Sequence, residues 1–336
     1  MGEAMLDDAR FPGWKAGDGG YESYYVKASH PTDPVSIWLR HTVHKRPGHA
    51  PLGSLWLTLF DATGAGPWAV KETTVALDAG GGDLIRVGDA RFAPGVAVGR
   101  AAAVPAAAER REASWELTFT CPEAPLRHLP RAWMYRAPLP RTKLLSPYPD
   151  ARFEGTVVAG GREVDITGWR GMVGHNWGAQ HAERWIWMHG AGFEGDGGAW
   201  IDVALGRIKV GGWTTPWVAN GVLALGGERL RLGGLGATRT TEVAERADGA
   251  AFTLTGRDVT VQGQVGAEPG DFVGWVYADP DGSEHNVVNC SIANMVLTVS
   301  RPGRAPATLT LAGSAAYELG MRETDHGVPL QPFGDG

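Results

Sequence analysis

Apolar residues in this chain come in short runs that alternate with polar ones, and no long amphipathic helical run occurs. A period of two puts successive side chains on opposite faces of a strand, so such runs bury one face only when strands pair into sheets. Glycine, at 49 of 336 residues, and proline, at 22, break the runs at close intervals. Many short strands joined by tight turns follow, which is the pattern of a β-barrel or sandwich. Strands are expected over Tyr21–Ala28, Ser36–Val43, Leu55–Phe60, Trp68–Thr74 and Ser114–Thr120 in the first half. Along Ser36–Val43, Ile37, Leu39 and His41 face one way, and Ser36, Trp38 and Arg40 the other.

Composition changes at Pro122–Pro149, which is dense in proline and includes Leu139-Pro140 and Ser146-Pro147-Tyr148-Pro149. Proline cannot donate to a sheet ladder, so this stretch is expected to be a stiff linker. Phe153–Val158 and Glu163–Trp169, joined by Ala159-Gly160-Gly161, form a hairpin that begins a second unit. Further strands follow at Trp185–His189, Ala199–Gly206, Val218–Leu225, Arg229–Leu232, Ala251–Gly256, Val259–Val265, Phe272–Ala278, Asn294–Val299 and Ala307–Ala312. The division expected is residues 1–150, including the linker, and residues 151–336, which carry His175-Asn176-Trp177-Gly178. Residues 1–20, the Ala-rich 101–110 with Pro105, and the tail from Asp325 read as irregular.

Net charge is −6 and no basic stripe exists, which argues against nucleic acid and anionic membrane as partners. No apolar run reaches the roughly 18 residues of a membrane span. The acidic start lacks an apolar leader, and Leu6 stands where a myristoylation signal needs Ser or Thr. A cytoplasmic protein is expected, and a homodimer is compatible with the sequence. Cys121 and Cys290 lie in no motif and read as buried thiols. His41, His44 and His49 do not share a strand face and have no Cys or carboxylate to complete a set, so no metal is expected. Asp279-Pro280-Asp281-Gly282 is a turn without the further carboxylates of a calcium loop. Neither Gly-x-Ser-x-Gly nor Gly-x-Gly-x-x-Gly at a strand-to-helix junction occurs, so neither a serine-hydrolase elbow nor a dinucleotide site is supported.

The densest chemistry is aromatic. Trp169, Trp177, Trp185, Trp187 and Trp200 are five of the chain's 14 tryptophans. Buried indole N–H groups need partners, and packing alone rarely demands such density. Glu183, Trp185, Trp187 and His189 share one face of a strand, and Arg184, Ile186 and Met188 the other. Trp200 and Asp202 share a face of the next strand, opposite Ile201 and Val203. A hairpin through Glu194–Gly198 brings the two aromatic faces to one side of the sheet. Tyr21, Glu22, Ser23, Trp38, Arg40 and His41 form a second aromatic and polar cluster that can line the opposite wall of a cleft.

His175-Asn176-Trp177 followed by Trp200-Ile201-Asp202 resembles the carotenoid 1,2-hydratase (hydroxyneurosporene synthase) family, most strongly over Phe153–Val203. That family sits in a wider group of two-domain, lipocalin-like β-barrel proteins with tocopherol cyclases and fungal Diels–Alderases. The hydratases carry Tyr where this chain has Trp200, so a phenolic hydroxyl is missing. The resemblance implies an all-β chain of two tandem lipocalin-like barrels with an apolar cavity within or between them. It also implies cofactor-free chemistry on an isoprenoid, steroid or polyketide-like substrate: hydration or dehydration, isomerisation or cyclisation. Alkene protonation needs an acid, and Asp202, its pKa raised in an apolar pocket, is the candidate. His175 would orient Asp202 or accept a proton later. Trp177, Trp187 and Trp200 would hold the cation by their ring faces. Trp185 and Asn176, with Tyr21 and Trp38 opposite, complete the binding residues. Glu183 is a second acid and His189 a second base.

Each residue also has a plainer reading. The His175–Gly178 corner can satisfy buried backbone groups. Asp202 can pair with Arg207 or Arg184, and Glu183 can be a solvated charge. Two other classes of function therefore stay open: a non-catalytic carrier of an apolar ligand, with Asp202 and Glu183 exposed or salt-bridged, and an interaction protein with its indoles on the surface. An enzyme calls for at least one carboxyl buried near indoles.

Overall fold

Strands whose side chains alternate close their backbone hydrogen bonds on neighbouring strands, and the chain is all-β. The computed structural model describes residues 11, 13–64, 66–80, 82–104 and 109–333. The acidic start and Pro105 lie outside the described residues. Helical structure among them is confined to three short 3-10 turns, and no helix is long and apolar enough to cross a membrane.

Two large antiparallel sheets dominate the molecule, beside a two-stranded ribbon of Lys209–Val210 and Trp213–Thr214. The first orders its strands Trp68–Thr74, Leu52–Asp61, Val35–Lys45, Gly20–Ser29, Trp169–Gly178, Thr142–Ala159, Arg111–Thr120, Val96–Ala103 and then three short strands back to Leu77–Gly80. It curls so that its Trp68–Thr74 edge meets Val96–Ala103 and Arg111–Thr120. Arg111 Nη1 donates to the Ala69 carbonyl at 2.7 Å, and the Ala102 N–H to Glu72 Oε2 at 2.7 Å. Leu39, Leu57, Val70, Phe92, Leu117 and Phe153 fill the enclosed core. The second sheet centres on Asp196–Arg207, Arg184–Phe193, Ala307–Met321 and Glu284–Ser300, over a core that includes Ile186, Met188, Ile201, Val203 and Val288. Each fully buried side chain of this kind contributes about 1.5–3 kcal/mol.

The expected break at 150/151 falls inside one continuous strand, Thr142–Ala159. That strand and Trp169–Gly178 both belong to the first sheet, and the chain passes to the second over residues 179–183. His175-Asn176-Trp177-Gly178 therefore sits in the first sheet. The Pro-rich stretch does not link two units. Its end is a sheet strand that accommodates Pro147 and Pro149 because the register shifts between Leu145 and Tyr148 and again between Tyr148 and Ala151. Bulges of this kind leave positions where a missing N–H removes no ladder bond. The expected hairpin forms: Ala159 pairs with Arg162 across Gly160 and Gly161, whose φ values of 58° and 79° suit a two-residue turn. Val96–Ala103, of eight mostly small residues, and the strands of four or five residues before it escaped sequence reading because none sustains a clear alternation. Cys121 and Cys290 are both free and buried.

Every residue of Gly20–Ser29 is buried. Tyr24, Val26 and Ala28 face the first core. By alternation Tyr21, Ser23, Tyr25 and Lys27 point the other way, onto the second sheet. The two sheets thus enclose a third buried layer between them, in which aromatic side chains are mixed with polar and charged ones.

Candidate functional site

The predicted hairpin places the interlayer residues of the second sheet. Arg184–Phe193 pairs with Asp196–Arg207, with His189 opposite Asp202 and Ala191 opposite Trp200. Opposite residues of an antiparallel pair point to the same side. Ile186, Met188, Ile201 and Val203 enter the second core, as expected, and Trp187, His189 and Asp202 face the first sheet.

Asp202 is completely buried. Ser146 Oγ donates to its Oδ2 at 2.5 Å and Trp187 Nε1 to its Oδ1 at 3.1 Å. His128 Nε2 lies 3.5 Å from Oδ2 and 3.1 Å from Ser146 Oγ, while His128 Nδ1 lies 3.1 Å from the Asn220 carbonyl. Both ring nitrogens of His128 are thus engaged, Nδ1 by a backbone carbonyl and Nε2 by Ser146 and Asp202. Among the described residues no Lys or Arg forms an ion pair with Asp202. Arg184 instead binds Glu245 and Glu323, and Arg207 donates to the Thr215 carbonyl.

Burial pushes the Asp202 pKa up, but His128, His189 and the Ser146 hydroxyl outweigh it and hold the carboxyl below its ordinary range. Asp202 is therefore a carboxylate, and the expectation of a raised-pKa acid is corrected: the polar groups around it stabilise its charge. His189 is pushed down to about 4 by burial and by Lys27, against the pull of Asp202. Its Nε2 lies 3.1 Å from the Pro149 carbonyl. Lys27 itself is pushed down to about 7, chiefly by burial, and its Nζ donates to the Ser314 carbonyl at 2.5 Å.

His175 is not the partner of Asp202. It lies opposite Tyr24 in the register and so points into the first barrel. There its Nε2 is 2.8 Å from Glu22 Oε1, and its ring stacks on Tyr24 at 4.3 Å and Trp177 at 4.4 Å. The aromatic wall also divides. Trp177 packs with Tyr135 and Leu145, Trp187 with Tyr25 and Met172, and Trp200 with Leu126 and Val222 beneath the Arg229 guanidinium. Trp185 donates to Glu318 Oε1 at 2.9 Å. Glu183 is half-buried, 3.7 Å from Arg322. Asn176, half-buried, alternates onto the interlayer side, and its Oδ1 has no hydrogen-bond partner there.

The cluster read at Tyr21, Glu22, Ser23, Trp38, Arg40 and His41 divides: Tyr21, Ser23, Trp38 and Arg40 lie on the face toward the second sheet, whereas Glu22 and His41 point into the first barrel. Trp38 packs with Trp275 of the second sheet at a centroid distance of 6.4 Å, and the Arg40 guanidinium lies over Tyr277 at 4.4 Å. Tyr21, Arg40, Thr42, Trp56, His181 and Tyr277 border a cavity of about 20 Å³, room for one water. A larger depression of about 590 Å³ is an open, polar groove beside Arg246, Asp248, Glu268 and Asp271. His41 points into the first barrel against Phe92 and Trp115, whereas His44 borders the interlayer cavity.

Sequence reasoning missed several interlayer residues. His128 and Ser146 come from the Pro-rich stretch, and Asp279 from a turn. Asp279 is buried and accepts from both the backbone and ring nitrogens of His181 at 2.7 Å. The charged residues at full burial were the available signal, but a single sequence does not reveal burial.

No protein-family profile matches the chain. Two uncharacterized proteins of Mycobacterium tuberculosis, from strains CDC 1551/Oshkosh and H37Rv, are each 29% identical over 200 residues. The match covers 58% of this chain and 57% of each relative, so it spans little more than half the length of these curated proteins. Among solved structures, an AttH candidate from Nitrosomonas europaea aligns with a TM-score of 0.52 at 13% identity, covering 90% of this chain and 92% of that one. This likeness establishes a shared fold, the lipocalin-like β architecture. Kievitone hydratase from Nectria haematococca aligns over 92% of this chain and 90% of its own, at 8% identity and a TM-score of 0.47.

Proposed function

We propose that this protein is an enzyme of the acid–base type that acts on an apolar substrate, isoprenoid, steroid or polyketide-like, in the layer between its two sheets. The reaction is a hydration or dehydration, an isomerisation or a cyclisation. The observation that supports this reading is Asp202: a carboxylate at full burial, beneath an indole, whose ion-pair partner is an imidazole. Removing a charge from water costs several kcal/mol, and a purely structural pair is better served by Arg, which keeps its proton. Imidazole can both donate and accept a proton, which a guanidinium cannot. In this reading Asp202 is the base and electrostatic anchor, His128 carries the proton through Ser146, and Trp187 covers the reacting carbon. His175 has no part in proton transfer. The interlayer must open to admit a substrate, since the cavity beside Arg40 and Tyr277, about 20 Å³, holds a water and no more.

The test is to extract the purified protein with organic solvent, identify what co-purifies, and assay its turnover with wild-type, Asp202→Asn and His128→Gln proteins. The reading expects turnover by the wild type and its loss in both variants. Undiminished turnover in both would overturn it. A wild type that binds the compound, quenching tryptophan fluorescence, but never converts it would establish the carrier reading instead.

A further inference from the structure

We propose that His181, Asp279 and His285 form a binding site for a divalent transition-metal ion of the zinc class. The site lies at the cavity end of the interlayer. It goes beyond the acid–base reading and does not rest on it.

Three segments converge there. His181 comes from the 179–183 crossover, Asp279 from the turn after Val273–Ala278, and His285 from the start of Glu284–Ser300. One donor atom from each lies within 4.8 Å of the others. Asp279 Oδ1 is 2.7 Å from His181 Nδ1, and Oδ2 is 3.4 Å from His285 Nδ1. Zinc bound at its usual 2.0–2.1 Å holds tetrahedral donors ~3.3 Å apart, and the three side chains converge to within 4.8 Å through one donor atom each, close to that spacing. His285 and Asp279 are completely buried and the His181 side chain is 7% exposed.

The second observation is a deficit of hydrogen bonds. His181 Nε2 is buried without a hydrogen-bond partner, and the ring nitrogens of His285 make only loose contacts, with Asp279 Oδ2 at 3.4 Å and with the Ala182 backbone. Buried polar atoms are normally satisfied, and a local deficit points to a water or an ion. Two imidazoles and one carboxylate are a ligand set that zinc accepts. Trp185 walls the site, with ring centroids 5.2 Å from His181 and 5.0 Å from His285, and Tyr21 stacks on His181 at 4.0 Å. Ser283 Oγ, 3.3 Å from Asp279 Oδ2, orients the carboxylate. Arg322 stands 4.0 Å from Asp279 Oδ2 and 3.7 Å from Glu183 Oε2. It can move to Glu183 when the ion takes up the charge of Asp279. Three protein ligands leave a fourth position. His181 borders the one-water cavity, so that position is available to a metal-bound water or a small oxygen ligand.

Chelator-treated full-length protein would be titrated with cobalt(II), followed by its visible absorption, and then with zinc in competition. The expected result is one cobalt per chain with the intense bands of four-coordination, displaced by one zinc. X-ray absorption of the zinc form would then count two imidazoles. His285→Ala and Asp279→Asn, checked for strand content by circular dichroism, should weaken cobalt binding roughly 100-fold or more. Asp202→Asn should bind as the wild type does, which separates this site from the proposed reaction. A wild type that takes up no cobalt above background, or ligand variants that bind it as tightly as the wild type, would overturn the proposal. Should a variant fail to fold, the imidazole count on the wild type decides.

Discussion

Two of the molecule's buried pairs of histidine and carboxylate look alike in composition and differ in setting. His175 and Glu22 lie inside the first barrel, stacked between Tyr24 and Trp177. His128 and Asp202 lie between the two sheets, joined through Ser146 and capped by Trp187. The first pair belongs to adjacent strands of one sheet and forms as that sheet closes. The second spans the two sheets: His128 and Ser146 come from neighbouring segments of the first, and Asp202 from the second. The difference teaches that the element a motif sits on says little about its role. What separates the pairs is whether they lie within one sheet or span the two.

The sharpest test of this contrast removes one charge from each pair. Glu22→Gln should destabilise the protein by about 3–5 kcal/mol, the usual cost of breaking a buried pair, read as a lower midpoint in urea. Asp202→Asn should instead lower turnover by about 100-fold or more, the scale of a lost acid–base group, with a smaller change in midpoint. The reverse pattern would exchange the two assignments. Next in size is Gly320→Ala. A Cβ there meets the Trp185 ring at 2.2 Å, and overpacking of this kind costs about 1–3 kcal/mol. Tryptophan emission should shift as Trp185 leaves Glu318, whereas an unchanged midpoint would mean that the interlayer yields easily.

Acid separates the settings more gently. Burial lowers the pKa of His41, inside the first barrel, to about 3, and that of His189, in the interlayer, to about 4. In the unfolded chain both take up protons near 6.5. Below that pH the unfolded state binds more protons than the folded one, so stability falls as pH drops from 6.5 toward 4. Each histidine contributes at most about 1.4 kcal/mol per pH unit. His41→Leu should flatten the slope of melting temperature against pH over this window; an unchanged slope would show that His41 does not govern it. The smallest effect is expected from Glu183→Ala, a partly exposed ion pair worth less than about 1 kcal/mol, and a large loss would place Glu183 within the interlayer network.

How much of this was legible beforehand follows from period and distance. The face carrying Trp187, His189 and Asp202 was readable because alternation over Glu183–Gly190 and Trp200–Val203 fixes it locally. The wall with Trp38 and Arg40 was readable for the same reason. His128 and Ser146 were not, since proline there suggests a linker until the register shifts around Tyr148 are known. The role of His175 was misread because its motif was assigned to the second unit, and only the pairing of Tyr24 with His175 reveals which way the ring points. Asp279 looked like an ordinary turn residue, and its burial against His181 depends on a contact across the fold.

The passage between the two sheets consists of residues 179–183, and His181 is one of them. The short tether that connects the halves therefore carries a side chain held by Asp279 of the second half and stacked on Tyr21 of the first. A hinge motion that opened the interlayer would draw this imidazole away from one contact or the other. Opening and the loss of that corner are thus a single mechanical event, and the same imidazole reports whether the two halves are seated together.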